Sequence, residues 1–177
     1  PIVSPVPLSI DELRRMQDSV GRGLTRPATW RQKQLQHLAE LLEQHEQKVL
    51  EALAADLGKP PTEAFFEIVA LRQELKLAQR QLRRWMRPRR VSVPLAQRPG
   101  RADVIPEPLG CVLIIGPWNY PFSLTLQPLI SALAAGNTAV LKPSENAPTV
   151  ASLISRLIRE HFAPEVVRVE LGDGDVA

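Results

Sequence analysis

The sequence has little cysteine, little net charge and no long apolar segment, and each shortage excludes a class of protein. Cys111 is the only cysteine among 177 residues, which excludes an internal disulfide and is typical of a reducing compartment, so we expect a cytoplasmic protein. No apolar run approaches the roughly 20 residues that a membrane-spanning helix needs. The segment Pro1 to Leu8 lacks the basic and then apolar layout of a secretory signal. The formal charge of +3 is too small to indicate a polyanionic partner by itself.

The first half of the sequence has helical periodicity. A capping box at Ser9 to Glu12 predicts a short helix that ends near Gly21. Apolar residues at steps of three, four and seven predict one long helix from about Thr29 to Leu57, stopped by Gly58. Another helix is predicted from about Thr62 to Met86. Its apolar side would carry Phe65, Ile68, Leu71, Leu75, Ala78, Leu82 and Trp85.

An arginine-rich segment follows these helices. Eight arginines and no acidic residue occur between Arg80 and Arg101. Such a patch can bind phosphate, nucleic acid or an acidic lipid surface. However, it begins at a helix C-terminus, where the helix dipole favours cations, and it lacks the interleaved aromatic residues of single-strand binders. We therefore interpret it as a solvated helix end, with short strands at 91–93 and 103–105 outside the main sheet, and expect no nucleic-acid partner.

From Pro108 the pattern changes to short apolar strands that alternate with helices. Three strands and two helices are predicted, at 112–115, 124–135, 138–141, 149–162 and 166–171. The first strand is bounded by glycines and is expected to be buried on both faces. Pro128 is expected in the first turn of its helix, because a deeper proline removes a hydrogen bond. The β-α-β-α-β order predicts an α/β protein with a parallel sheet and right-handed crossovers.

The turn after the first strand has an unusual composition, Gly116-Pro117-Trp118-Asn119-Tyr120-Pro121. Its two prolines fix the backbone around the three side chains between them. An asparagine held in this way can direct its amide N–H at a developing oxyanion. The composition is equally compatible with a capping asparagine beside a core tryptophan.

The second strand ends in Lys142-Pro143-Ser144-Glu145. Open parallel sheets bind ligands at the carboxyl ends of their strands. A lysine donor and a carboxylate acceptor placed there can both bond ribose hydroxyls. Taken alone, the motif is more typical of a surface ion pair at the start of a helix.

Three other features indicate no chemistry. Cys111 lies at the start of a strand, without a histidine or helix N-terminus to lower its pKa, and fits a small core residue. His37, His45 and His161 fall on predicted helices without metal-ligand spacing, so no metal site is predicted. Gly172 to Ala177 matches G-x-G-x-x-A, but two aspartates stand where a pyrophosphate would bind, which favours a simple loop after a strand.

Four segments occur together, in order and at close spacing: EPLG at 107–110, GPWNYPF at 116–122, AAGN at 134–137 and VLKPSE at 140–145. Together they resemble the aldehyde dehydrogenase superfamily, particularly the class 3 branch that includes fatty-aldehyde enzymes. The WNYP form, and the upstream segments TRPATWR and LAADLGKP, favour that branch. The resemblance runs from about Leu13 to Leu171.

The resemblance implies a fold and a role for each matching residue. The fold would be a helical layer at 1–107, followed at 108–177 by the first β-α-β-α-β units of a Rossmann-like NAD-binding sheet. Asn119 would be catalytic, with its amide stabilising the oxyanion of a thiohemiacetal. Tyr120 and Leu124 would line the aldehyde tunnel. The cofactor, NAD or NADP, would contact Ile115, Gly116, Pro117, Trp118, Asn119, Lys142 and Glu145, the last two at the adenosine ribose.

The resemblance also implies parts that these 177 residues lack. In the family, the nucleophilic cysteine, the general-base glutamate and the catalytic and oligomerisation domains lie downstream, and Cys111 does not match the nucleophile. We expect the parent protein to be an NAD(P)-dependent aldehyde dehydrogenase that oxidises an aldehyde to a carboxylic acid and forms a homodimer. The chain alone, which would need the remainder of the enzyme, is expected to be inactive. The alternatives are a non-catalytic fragment that pairs with its missing half and a basic module that binds nucleic acid.

Overall fold

A computed structural model describes residues 8–173 of the chain. Its helices are α1 (Ile10–Gly21), α2 (Ala28–Gln44), α3 (Glu46–Leu57), α4 (Pro61–Trp85), α5 (Ser123–Ala135) and α6 (Pro148–His161). Its strands are β1 (Arg89–Val91), β2 (Ala102–Val104), β3 (Cys111–Ile115), β4 (Thr138–Lys142) and β5 (Val167–Val169). The interpretations given for the first seven residues and for the last four residues of the G-x-G-x-x-A pattern lie outside this range.

The main sheet confirms the predicted α/β class. Strands β3, β4 and β5 pair in that order, and both pairings are parallel. Every residue of the central strand β4 is buried. Strands β1 and β2 form a separate antiparallel pair, so the predicted small extension is also confirmed, one to two residues earlier than expected.

Strand β3 is covered on one face only, so the prediction of burial on both faces was wrong. Ile114 belongs to the hydrophobic core, whereas Leu113 and Ile115 are 53% and 59% exposed. Within the described residues β3 pairs with β4 alone and is therefore an edge strand. Side chains of a strand alternate between faces, but an uninterrupted apolar run hides that alternation in the sequence.

The long helix predicted over 29–57 is interrupted at His45, whose φ and ψ are −124° and 16°. The part before the break, α2, packs against α4 and α5, whereas α3 packs mainly against α6. Arg72 braces the junction, because its guanidinium donates to the carbonyl of Leu42 at 3.4 Å and pairs with Glu46 at 2.7 Å. The leucine stripe continues through the break, and for this reason the periodicity concealed it.

The other helices match their predicted positions within one to two residues, with two differences in detail. In α1, the Ser9 hydroxyl accepts the N–H of Glu12 at 3.2 Å, as the capping box predicts. On α4, Phe65 and Trp85 are 39% and 45% exposed, although both were predicted to face inward. Pro128 is the sixth residue of α5, not in its first turn. Because proline has no N–H, the carbonyl of residue 124 receives no helical hydrogen bond. The chain is partly exposed to water at this residue.

One hydrophobic cluster includes side chains from α2, α3 and α4 and from the β-α-β-α-β half of the chain. Among residues 8–173, no helix has the length and apolar character needed to cross a membrane.

Candidate active-site wall

The two polar motifs predicted at strand ends lie at one edge of the sheet. In the register of the parallel pair, Ile115 at the end of β3 stands beside Lys142 at the end of β4. The N–H of Gly116 donates to the carbonyl of Lys142 at 2.9 Å. The turn at 116–121 and the segment at 142–145 are therefore neighbours, as parallel strand order requires.

Close packing fixes where the turn begins and ends. A Cβ atom on Gly116 would lie 2.0 Å from Thr125 Oγ1, so no larger residue fits there without movement. The same hydroxyl donates to the carbonyl of Pro121 at 2.6 Å. The N–H of Leu124 donates to the carbonyl of Tyr120 at 3.0 Å. The start of the turn thus packs against Thr125, and its end is hydrogen-bonded to the first turns of α5.

A buried ion pair supports the middle of the turn. Lys59 Nζ lies 2.7 Å from a carboxylate oxygen of Glu67, and the two side chains are 9% and 1% exposed. The same ammonium donates to the carbonyl of Asn119 at 3.0 Å and lies 3.9 Å from the centroid of the Tyr120 ring. The second oxygen of Glu67 accepts the N–H of Ser123, the first residue of α5, at 2.9 Å. One lysine and one carboxylate therefore hold the turn and the start of α5 together.

The side chains of the turn remain accessible. Trp118 is 57% exposed and Tyr120 is 44% exposed, so the alternative of a core tryptophan was wrong. The helix that follows has no side-chain cap, which also argues against a capping asparagine. Within residues 8–173 the carboxamide of Asn119 has no hydrogen-bond partner and is free to bond a ligand.

Lys142 and Glu145 form a pair in which only one member is exposed. Lys142 Nζ lies 2.6 Å from a carboxylate oxygen of Glu145, and the side chains are 5% and 44% exposed. The hydrogen bond from Lys142 is the main cause that lowers the pKa of Glu145. An ammonium has three N–H donors, so donors remain for a ligand beside an ionised acceptor. A buried lysine does not fit the alternative of a simple surface ion pair.

Cys111 does not join this wall. It lies at the opposite end of β3, a distance of about 13 Å along a five-residue strand. Partial burial raises the pKa of its thiol, and a hydrogen bond with Thr138 offsets this only in part. The interpretation of Cys111 as a structural residue agrees with this environment, since a reactive cysteine needs a lowered pKa.

Sequence reasoning missed Lys59 and Glu67. Glu67 did leave a signal, because it lies on the inward side of α4 beside Ala64, Ile68 and Leu71. A carboxylate on an apolar stripe requires a buried partner. The identity of that partner could not be read from the sequence.

Comparison with known proteins shows which family this chain belongs to. The profile described as "Aldehyde dehydrogenase family" matches residues 20–177. The chain belongs to the aldehyde dehydrogenase family. It is 43% identical over 164 residues to aldehyde dehydrogenase family 3 member H1 of Arabidopsis thaliana, covering 92% of this chain and 33% of the relative. It is 44% identical over 163 residues to family 3 member B1 of Homo sapiens, covering 92% of this chain and 35% of the relative.

The fold of an aldehyde dehydrogenase is matched as well. A solved structure titled "Substrate bound state of Staphylococcus Aureus AldH" superposes on the chain with a TM-score of 0.91 and 37% identity. That match covers 97% of this chain and 38% of the other protein. The chain thus spans about a third of the length of the curated aldehyde dehydrogenases that it matches.

Proposed function

We propose that this sequence supplies one wall of the active site of an NAD(P)-dependent aldehyde dehydrogenase, an oxidoreductase. In the proposed reaction, a cysteine outside these 177 residues adds to the aldehyde as a thiohemiacetal, whose oxidation, with NAD(P) as the hydride acceptor, would give a thioester. Water would then hydrolyse the thioester, releasing the carboxylic acid and the free cysteine. The observation that carries the proposal is the meeting of the Asn119 turn with the Lys142–Glu145 pair at one edge of the parallel sheet.

The catalytic role proposed for Asn119 is to stabilise the oxyanion. When a thiolate adds to an aldehyde, the carbonyl oxygen gains negative charge, and an amide N–H aimed at that oxygen lowers the barrier. The donation from Lys59 to the Asn119 carbonyl, at 3.0 Å, restrains the backbone of this residue before substrate arrives. Such a donor needs little reorganisation during the reaction.

The residues of the wall fit a nicotinamide dinucleotide. The Lys142 ammonium and the Glu145 carboxylate, 2.6 Å apart, offer a donor and an acceptor to the neighbouring hydroxyls of the adenosine ribose. Ile115, Gly116, Pro117 and Trp118 would lie against the nicotinamide half, beside Asn119. NAD or NADP supplies the acceptor for the hydride when it is bound.

The aldehyde would enter past Tyr120 and Leu124, which are 44% and 38% exposed and flank the Asn119 turn. For the parent protein we also propose a homodimer, a cytoplasmic location and a boundary near residue 108 between the helical layer and the cofactor-binding unit.

The test compares variants of the full-length protein that contains this sequence, with hexanal and NAD as substrates and NADH absorbance as the readout. Asn119→Ala should lower kcat by about 10²–10³, the usual cost of removing one oxyanion donor. Glu145→Gln should raise KM for NAD with little change in kcat, because it weakens binding remote from the reacting atoms. Asn146→Ala, at an exposed neighbouring asparagine, is the control and should leave kcat unchanged.

Two results would overturn the proposal. One is a full-length protein that forms neither NADH from NAD nor NADPH from NADP with hexanal or another aldehyde. The other is an Asn119→Ala variant whose kcat stays within about tenfold of the parent. The 177-residue chain alone should form no NADH, because the only thiol it contains has a raised pKa and lies far from Asn119.

A further inference from the structure

Two histidines and a glutamate meet at the junction of three helices, far from the proposed active-site wall. His45 is the residue between α2 and α3, and His161 is the last residue of α6, with Glu160 just before it. The Nε2 atoms of the two histidines are 3.3 Å apart, although 116 residues separate them in sequence. His45 Nε2 also lies 3.8 Å from a carboxylate oxygen of Glu160. One ligand atom from each of the three residues falls within 4.8 Å of the others.

We propose that His45, Glu160 and His161 form a binding site for a divalent cation of the zinc class. Zinc binds imidazole nitrogen at about 2.0–2.1 Å with tetrahedral angles, which places two such nitrogens about 3.3 Å apart. That is the separation of the two Nε2 atoms. Two imidazoles and one carboxylate suit zinc and similar metals, whereas calcium and magnesium prefer oxygen ligands throughout.

The surroundings of the three side chains allow them to close on an ion. The His45 side chain is 12% exposed and is therefore fixed, whereas Glu160 is 48% exposed. Glu160 can move toward the two imidazoles, and its open side gives the ion a path of entry. The fourth position would hold water.

The Lys48 ammonium competes with the metal ion for the His45 imidazole. Its Nζ lies 3.4 Å from His45 Nδ1, and an ammonium can only donate. This contact therefore favours the tautomer whose proton is on Nε2, the atom that must be bare to bind metal. Arg156 also competes, since its Nε lies 3.9 Å from the other oxygen of Glu160. The site should therefore bind zinc reversibly, and removal of Lys48 should tighten binding.

The test is calorimetric titration of chelator-treated, tag-free protein with zinc chloride at pH 7.5. The full-length protein is used, and its cysteine thiols are alkylated with iodoacetamide beforehand, so that no thiolate competes. The protein without histidine substitutions should bind one zinc ion at this site. His45→Gln or His161→Gln should weaken that binding by more than about tenfold, because even outer-shell losses often cost 10–100-fold. His37→Gln is the matched control, since His37 lies on α2 but outside the cluster, and it should bind zinc like the parent.

A second readout separates coordination from a folding defect. Lys48→Gln should bind zinc more tightly than the parent, whereas variants that merely disturb the junction cannot do so. Cobalt should give the visible absorption of a tetrahedral complex in the parent but not in His161→Gln. Equal zinc affinity in the parent, His45→Gln and His161→Gln would overturn the proposal and leave the two histidines as a simple hydrogen-bonded pair. Failure of Lys48→Gln to tighten binding would also count against it.

Discussion

The buried pair of Lys59 and Glu67 gives the sharpest prediction about stability. Glu67→Gln removes the negative charge without opening a cavity, and it leaves an ammonium that is only 9% exposed without its counter-charge. Removing one member of a buried pair costs about 3–5 kcal/mol. Because glutamine keeps one acceptor oxygen, we expect about 3 kcal/mol, a large share of the 5–15 kcal/mol that holds a typical domain folded.

The assay is urea unfolding followed by far-ultraviolet circular dichroism. Lys59→Met and the double variant complete a double-mutant cycle, and the two singles should be coupled by about 0.5–3 kcal/mol. Amide hydrogen exchange gives a local readout, and residues 119–123 should exchange faster in Glu67→Gln because the turn and the start of α5 lose a shared anchor.

The matched control is Glu46→Gln. The Glu46–Arg72 pair has the same 2.7 Å separation, but its side chains are 35% and 34% exposed. A pair that faces water contributes about 0–1 kcal/mol, so this variant should lose no more than that. The reasoning would be refuted if Glu67→Gln also lost less than about 1 kcal/mol, or if its effect and that of Lys59→Met were simply additive.

Three further predictions concern packing, capping and pH. Gly116→Ala should destabilise the fold by about 1–3 kcal/mol, because the new Cβ would lie 2.0 Å from Thr125 Oγ1, and Thr125→Ala should relieve part of that cost in urea unfolding. Asp56→Ala should cost about 0.5–2 kcal/mol, because its carboxylate accepts the first free N–H groups of α6 at 3.1 and 2.8 Å. Burial, and secondarily nearby lysines, lowers the pKa of His37 and His45. The free energy of unfolding, measured in EDTA, should therefore be highest above about pH 6.5 and fall as the pH drops through the folded pKa values of these histidines. Replacing both histidines by glutamine should flatten this dependence.

Each of these has its own contrary result and control. Gly21→Ala, where a Cβ would contact nothing within 4 Å, should be nearly neutral, and an equal loss at both glycines would remove the steric explanation. Asp18→Ala, at an exposed position of α1, should change stability by less than about 0.5 kcal/mol. If it matched Asp56→Ala, capping of α6 would not be the cause. A pH profile that is the same with and without the two histidines would show that other groups govern it.

The part of the site that the sequence predicts is the part built from local motifs. Asn119 and the Lys142–Glu145 pair each follow a short strand, and parallel order brings the ends of such strands to one edge. The structure places both motifs there, and their roles remain predictions until the variants are assayed.

The part that the sequence does not predict depends on contacts between distant segments. The donation from Lys59 to Asn119 spans 60 residues, and the meeting of His45 with His161 spans 116. The break at His45 was hidden because the leucine stripe continues across it, and the open face of β3 was hidden because all its residues are apolar. Periodicity reports which side of an element is apolar, but it does not report what covers that side.

The hydrogen bond between the N–H of Gly116 and the carbonyl of Lys142 links the geometry of the proposed active-site wall to the spacing of the sheet. Neighbouring strands lie about 4.8 Å apart, so the pairing of β3 with β4 sets how close the turn at 116–121 comes to the segment at 142–145. Engineering of substrate or cofactor preference should therefore vary residues 117–121 and 143–145. A shift of β3 by one residue against β4 would instead turn every side chain of β3 to the opposite face. It would also displace the turn at 116–121 relative to the segment at 142–145.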